Sequence, residues 1–281
     1  MSNEGVTLVL GDRRFQVERS WYKLPGSLKL RYVSGVAVAT DGKVYVCQRS
    51  DPPVVAFDED GFFVASFGIG VVRDAHGISM DHDGHILVVD RDGHCVVAFD
   101  SRGKEVFRLG DRNVPHWQTP FNHPTDIAQA SNGDYYVSDG YGNAAVHVFT
   151  AEGVHKKTWG RPGRGPGEFV TPHGIVVDSG DRVLVADQDN NRIQVFSLEG
   201  EYIEEWDGFT HPMDLFCDDQ GDVYVSDETP SLWRLATTGA VRGRCRAALY
   251  CGHGVCGGGS GHIYVAESSP IDNLTRLNPL E

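Results

Sequence analysis

The chain has 281 residues, of which 40% are hydrophobic and 23% charged, an ordinary composition for a globular protein with a sizeable core. Its formal net charge of −14 disfavours nucleic acid as a partner, because that interaction depends mainly on Lys and Arg side chains that neutralise phosphates. The sequence lacks an apolar run long enough to span a membrane, and its N-terminus lacks the basic and apolar regions of a signal peptide. We therefore expect a cytoplasmic protein with no membrane partner and with reduced thiols at its six cysteines.

Six segments with a common pattern follow one another along the chain. They span residues 33–68, 74–110, 123–160, 171–206, 211–245 and 252–277. Each contains short runs rich in Val, Ile, Tyr and Phe, separated by turns that include Asp-Gly and Asn-Gly pairs, as strands and hairpins require. A four-stranded sheet with two apolar faces must stack against similar sheets. The repeats thus predict an all-β, six-bladed β-propeller that forms a single domain over residues 1–281.

The sixth segment ends after its third predicted strand, whereas strand-like residues precede the first segment. These residues, 6–21, read VTLVLGDRRFQVERSW. We expect them to complete the sixth blade, which would leave no open sheet edge there.

Histidine recurs at one position of the repeat. When the segments are aligned on their first strands, the equivalent residues are Ser34, His76, Thr125, His173, Met213 and His253. Every second blade has histidine at this position, and the first strands of a propeller line its central channel, so side chains about 120° apart face a common point. The pattern predicts one divalent metal ion held by His76, His173 and His253.

Three neutral imidazoles suit zinc and leave an open coordination position for a substrate. Glycine follows each histidine, at Gly77, Gly174 and Gly254, and we expect its missing side chain to keep the channel open beside the ligands. The alternative interpretation is that each histidine only begins a blade and forms a hydrogen bond between sheets.

Other residues are weaker metal-ligand candidates. Cys251 and Cys256 flank His253, but no second cysteine pair accompanies them. His123 and His211 precede prolines one place before the channel position and are outside candidates. The other histidines, which we expect at solvated positions, are His82, His85, His94, His116, His147, His155 and His262.

Motifs in residues 121–196 carry a family resemblance. FNHPTDIA, YYVSDGYGN, WGRPGRGPGEFVTPHGIVV and VLVADQDNNRIQVF resemble the corresponding region of peptidyl-α-hydroxyglycine α-amidating lyases and their bacterial relatives, which are built from NHL repeats. The resemblance covers most of the chain and is strongest in blades two to four. The DGYGN and PHG motifs are fairly specific, whereas WG-x-x-G-x-G-P-G-x-F is generic to NHL propellers.

The resemblance implies a zinc ion held by the three channel histidines and a reaction that cleaves the C–N bond of a carbinolamine. It also implies two catalytic residues, Tyr141 in the DGY motif as the base and Arg49 in CQRSD as a partner for a substrate carboxylate. The alternatives are a tyrosine that stacks over the channel mouth and an arginine that pairs with Asp51 or Asp58 at the surface.

This sequence departs from the family at two of its motifs. The lyases have a disulfide cysteine directly after the DGY tyrosine, where this chain has Gly142, and a calcium-binding aspartate after the third histidine, where it has Gly254. A structural calcium ion is therefore doubtful here. The sequence contains no copper monooxygenase segment, so we expect a small-molecule substrate such as a carbinolamine, hemiaminal or hydroxy ether.

Two other classes of function compete with the lyase. A metal-dependent propeller hydrolase that opens a lactone or ester would also use an open zinc position. However, calcium-type lactonases rely on acidic and amide ligands, and histidines favour zinc or another borderline metal. A non-catalytic NHL scaffold that binds proteins is the third class, and RNA-binding members of it would need a basic face.

Overall fold

Antiparallel β-strands form nearly all the regular structure in the computed structural model, which describes residues 6–248, 250–268, 270 and 272–280. The first six strands are β1 (Thr7–Leu10), β2 (Arg13–Arg19), β3 (Val33–Val38), β4 (Val44–Gln48), β5 (Val54–Phe57) and β6 (Phe63–Phe67). The next six are β7 (Ala75–Met80), β8 (Ile86–Asp90), β9 (Cys95–Phe99), β10 (Glu105–Leu109), β11 (Asp126–Gln129) and β12 (Tyr135–Asp139).

The strands continue in the same pattern to the end of the described chain. They are β13 (Ala145–Phe149), β14 (His155–Trp159), β15 (Pro172–Val177), β16 (Arg182–Asp187), β17 (Arg192–Ser197), β18 (Tyr202–Asp207) and β19 (Pro212–Cys217). The last are β20 (Val223–Asp227), β21 (Ser231–Leu235), β22 (Val241–Arg246), β23 (Gly252–Gly257), β24 (Ile263–Glu267) and β25 (Asn273–Leu280). A single 3₁₀ turn, Gln188–Asn190, follows β16 within the described residues.

The contacts divide the chain into two compact units, and their boundaries fall within two residues of the ends of predicted blades. The unit Gly68–Pro212 contains the sheets β7 to β10, β11 to β14 and β15 to β18. The unit formed by Met1–Phe67 and Met213–Glu281 contains the sheets β3 to β6, β19 to β22 and a sheet with the order β1-β2-β25-β24-β23. These six sheets confirm the prediction of an all-β, six-bladed β-propeller, and the single domain over residues 1–281 stays a prediction.

Burial within a blade falls from the inner strands to the outermost one. In the second blade every residue of β8 and β9 is buried, whereas only Leu109 of β10 is. Inner strands with two buried faces require apolar residues on both, which explains their continuous Val, Ile and Leu runs. Blades of the same unit pack through these faces: Tyr136 and Val146 of the third blade share one apolar cluster with Phe196 of the fourth.

The N-terminal strand completes the sixth blade, as predicted. β2 pairs with β25 in an antiparallel register that places Phe15 opposite Pro279 and Val17 opposite Leu277. Phe15 and Val17 are buried in the apolar cluster of this sheet. β1, which the repeat pattern did not predict, pairs with β2 and adds a fifth strand at the edge.

The described part of the chain contains no helix that is long and apolar enough to cross a membrane. None of the six cysteines, all of which lie in the described residues, forms a disulfide bond, and their reduced state stays a prediction. The predicted cytoplasmic location stays a prediction.

Candidate metal centre

His76 lies on β7 and is held in one orientation by the next blade. Its side chain is almost fully buried, and its Nδ1 lies 2.8 Å from the backbone oxygen of Thr125, just before β11. A carbonyl oxygen can only accept a hydrogen bond, so Nδ1 carries the proton and donates it. Nε2 is therefore the unprotonated ring nitrogen, which is the state in which imidazole binds a metal ion.

His173 on β15 faces the same point as His76. The two ring centroids are 4.9 Å apart, and each Nε2 lies 3.1 Å from the hydroxyl oxygen of Tyr141. The hydroxyl has one proton and can satisfy only one ring acceptor at a time. Two predicted metal ligands and the predicted catalytic tyrosine thus lie together in this unit.

Tyr141 reaches this point from the loop that follows β12. Its backbone N–H donates to the His123 carbonyl oxygen, at 3.4 Å, and the N–H of Gly142 donates to the Asn122 oxygen, at 3.0 Å. A Cβ at residue 142 would lie 2.6 Å from that same Asn122 oxygen. The loop can approach so closely only because residue 142 is glycine. The side chain of Tyr141 is 44% exposed, so its ring also faces solvent.

His253, the third predicted ligand, lies on β23 in the other unit and repeats the arrangement of His76. Its Nδ1 lies 2.7 Å from the backbone oxygen of Ser34, and its side chain is mostly buried. The same argument assigns the proton to Nδ1 and leaves Nε2 as an acceptor. Ser34 and Thr125, which share the repeat position of the histidines, thus supply the carbonyl groups that fix the rings.

Arg49, the second predicted catalytic residue, follows β4 in the unit that contains His253. It is half-buried, and its backbone N–H donates to the Tyr32 carbonyl oxygen at 3.0 Å. Its pairing with a substrate carboxylate stays a prediction.

The glycines after the histidines have a different role from the one predicted. A Cβ on Gly77 would lie 2.6 Å from the Thr125 backbone oxygen, and one on Gly254 would lie 2.7 Å from the Cα of Gly35. Both would point at the first strand of the next blade. At Gly77 and Gly254 glycine is required because the blades approach closely there, and the prediction that these two glycines keep a channel open was wrong.

The cysteines near His253 are poor candidates for metal binding. Burial raises the pKa of Cys251 to about 11 and that of Cys256 to about 12, so both remain thiols at neutral pH. Zinc binds thiolates, and these pKa values oppose their formation.

His123, a weaker candidate for metal binding, packs against His94. Its ring packs edge-on against His94 with 4.3 Å between centroids, and its Nδ1 lies 2.8 Å from Asn122 Oδ1. His94 is buried, so its predicted solvated position was wrong. His211 is half-exposed, and its Nε2 lies 4.0 Å from Asp189 Oδ1.

A solvated position was also wrong for His147, which is fully buried on β13. Its Nε2 lies 3.0 Å from Asp139 Oδ2, and the same oxygen accepts hydrogen bonds from the Asn122 N–H and from Asn143 Nδ2. Asp139 ends β12, two residues before Tyr141. The pair therefore anchors both ends of the loop that carries Tyr141. In the fourth blade, Gln194 is the nearest counterpart of His147 and donates to Asp187, which ends the preceding strand. This repetition along the sequence could have identified the pair of His147 and Asp139.

The sequence analysis also missed Arg91, which packs against Tyr141. Its guanidinium carbon lies 5.6 Å from the centre of the Tyr141 ring. Arg91 directly follows β8, as Arg49 directly follows β4, so the repeat register would have identified it.

Comparison with known families identifies the class of the protein. A model of the NHL repeat matches residues 73–99, and a family described as a 6-bladed beta-propeller matches residues 120–228. The chain thus contains an NHL repeat and shares the six-bladed β-propeller fold.

The relatives of this chain include an NHL repeat-containing protein and a probable lyase. Human NHL repeat-containing protein 3 is 31% identical over 211 residues, which are 68% of this chain and 59% of the human protein. A probable peptidyl-alpha-hydroxyglycine alpha-amidating lyase of Caenorhabditis elegans is 39% identical over 98 residues, which are 34% of this chain and 28% of that protein. The chain thus spans about three fifths of the first of these relatives and a smaller share of the second.

Solved structures of two enzymes share the fold. A streptogramin B lyase aligns with a TM-score of 0.70 at 16% identity, covering 97% of this chain and 100% of that one. A gluconolactonase from Xanthomonas campestris aligns with a TM-score of 0.72 at 12% identity, covering 96% and 91%. At these identities the likeness shows the propeller fold alone.

Proposed function

We propose that the chain is a metal-dependent lyase, with zinc as its metal, that cleaves the C–N or C–O bond of a small carbinolamine-type substrate and releases a carbonyl product. The metal ligands in this proposal are His76, His173 and His253. The observation that carries it is the position of the Tyr141 hydroxyl, 3.1 Å from the Nε2 atoms of both His76 and His173. The partial match to a probable amidating lyase supports the same reaction class.

The chemistry of the ligand set fits a divalent zinc ion. Each of the three histidines offers one ring nitrogen to such an ion. His76 and His253 donate their Nδ1 protons to backbone oxygens, which is the outer contact that commonly orients metal-binding imidazoles. Calcium prefers oxygen ligands, which these residues do not supply. A zinc ion bound here would act as a Lewis acid toward an oxygen atom of the substrate.

The residues of the chain have separate tasks in this reaction. Tyr141, as its phenolate, accepts the proton of the substrate hydroxyl while the carbon–oxygen bond becomes a carbonyl. The electron pair of the breaking C–N bond goes to nitrogen, which takes that same proton back from the Tyr141 hydroxyl, so the products are a carbonyl compound and an amide and the phenolate is restored. Arg49 holds a carboxylate of the substrate through a bidentate ion pair.

Metal analysis is the first test of the proposal. We expect about one equivalent of zinc in the purified protein, since the proposal assigns all three histidines to one ion. The His76→Ala variant should lose it, and His82→Ala, which alters an exposed histidine of the same unit, should retain it. A wild-type protein that binds no zinc, iron or manganese would exclude both the lyase and a metal-dependent hydrolase and would leave the non-catalytic scaffold.

Turnover is the second test. The zinc-loaded protein should release glyoxylate from an N-acyl-α-hydroxyglycine, measured alongside lactone hydrolysis. Tyr141→Phe should lower the rate by about 100-fold, the usual contribution of a general base, without loss of metal. Tyr32→Phe, at another exposed tyrosine, is the matched control. Hydrolysis of lactones in place of carbinolamine cleavage would replace the lyase with the hydrolase, and an unchanged rate in Tyr141→Phe would remove Tyr141 as the base.

A further inference from the structure

Tyr141 needs support that its own loop does not provide. Its side chain is 44% exposed, yet its hydroxyl is placed at the same distance from two ring nitrogens. His76 and His173 contact the ring edge-on, with centroid distances of 5.2 Å and 5.7 Å. A half-exposed tyrosine has other favourable side-chain rotamers in solvent. A further contact is therefore needed to keep the hydroxyl in place.

Arg91 supplies that contact and is itself held rigidly. Its guanidinium lies over the Tyr141 ring, 5.6 Å from the ring centre, which is the geometry of a cation–π interaction. Its Nη2 lies 2.6 Å from Asp74 Oδ2 and its Nε lies 3.0 Å from Asp92 Oδ1. The backbone N–H of Arg91 also donates to the Asp74 carbonyl oxygen, at 2.9 Å.

The partner carboxylates differ in exposure and in the kind of contact: Arg91 Nε donates a hydrogen bond to Asp92 Oδ1, whereas Asp74 Oδ2 contacts the guanidinium as an ion pair. The Asp74 side chain is only 10% exposed, whereas that of Asp92 is 38% exposed and screened by water. Asp74 precedes β7 by one residue, and His76 lies two residues beyond it. The segment that carries the metal-binding histidine thus also carries the carboxylate that orients Arg91.

We propose that Arg91, held by Asp74, is a positioning residue that keeps the Tyr141 hydroxyl between His76 and His173. The planar guanidinium covers one face of the ring and limits its rotation, while the two carboxylates fix the guanidinium. This inference rests on the proposed function for the importance of Tyr141, but the ring position can be measured without any reaction.

The first experiment follows the Tyr141 ring by ¹⁹F NMR in protein labelled with 3-fluorotyrosine. Loss of one resonance in Tyr141→Phe identifies the Tyr141 signal. Arg91→Met should shift and broaden this signal, and Asp74→Asn should do so in the same direction. Arg112→Met is the matched control, because Arg112 is an exposed arginine of the same unit that bonds the Gly70 oxygen. A Tyr141 signal that is unchanged in Arg91→Met would overturn the proposal.

The second experiment is a double-mutant cycle on turnover by the zinc-loaded protein. Arg91→Met should lower kcat by about 10- to 100-fold, the cost of misplacing a reacting group by about 1 Å, and should leave KM within about twofold. In the Tyr141→Phe background the same change should have no further effect, because Arg91 acts through the hydroxyl. Multiplicative effects would overturn the positioning role. If the wild-type protein cleaves no carbinolamine, the proposed function fails, whereas the NMR result still decides the role of Arg91.

Discussion

Because two blades approach closely beside His76, we expect the Gly77→Ala substitution to destabilise the protein. The new Cβ would lie 2.6 Å from the Thr125 oxygen, 2.7 Å from Asp126 Oδ1 and 3.0 Å from the Asp126 Cα. The Thr125 oxygen and the Asp126 Cα belong to the backbone, so β7 must move away from β11. Overpacking of this kind costs about 1 to 3 kcal/mol, and the movement also weakens the hydrogen bond from His76 to Thr125, worth about 1 kcal/mol.

We therefore expect Gly77→Ala to lower the free energy of unfolding by about 2 to 4 kcal/mol, measured by urea denaturation. Zinc affinity should fall by about tenfold, because the contact that orients His76 is lost. Gly180→Ala is the control, since its Cβ would contact only a side-chain oxygen of Asp178, at 3.3 Å. If the two variants differ in stability by less than about 0.5 kcal/mol, the steric argument fails.

Further predictions test the sixth blade, a buried carboxyl group and the thiols. Phe15→Ala should cost about 3 to 5 kcal/mol in urea unfolding, and Arg14→Ala, on the exposed face of β2, less than about 0.5; similar losses would argue against the strand's role. Burial raises the pKa of Asp214 from 3.8 to about 7, so the folded state binds the proton more tightly than the unfolded chain. The free energy of unfolding of the wild type, relative to that of Asp214→Asn, should fall by up to about 1.4 kcal/mol per pH unit as the pH rises from about 4 to 7. A difference between the two proteins that does not change with pH would contradict this. Burial also raises the pKa of Cys256 to about 12, so iodoacetamide at pH 8 should label it far more slowly in the native protein than in urea, as followed by mass spectrometry.

The repeat made the blades and the histidine register predictable from the sequence. Strand periodicity and turn residues recur at the same positions in every segment, so one alignment places His76, His173 and His253 on equivalent first strands. The unpaired third strand of the last segment likewise predicted its partner, β2. These features follow from local patterns that repeat.

Contacts between different segments were not predictable in the same way. The role of Gly77 in the second segment depends on how near Thr125 of the third segment comes. Arg91 follows its strand as Arg49 does, but only the fold places its guanidinium on the Tyr141 ring. Distances between segments depend on how the blades stack, so they cannot be predicted from the spacing of residues within one segment.

The pairing of β2 with β25 also determines when, during synthesis, the sixth blade can form. Arg14 pairs with Leu280 and Arg19 with Thr275, so nearly the whole chain separates the partners. During synthesis the hairpin of β1 and β2 leaves the ribosome before residues 273–280 and has no partner strand until they follow. Phe15 and Val17, which become core residues, are exposed throughout that interval. A chaperone that recognises apolar β-hairpins would therefore meet this segment before any other part of the sixth blade exists.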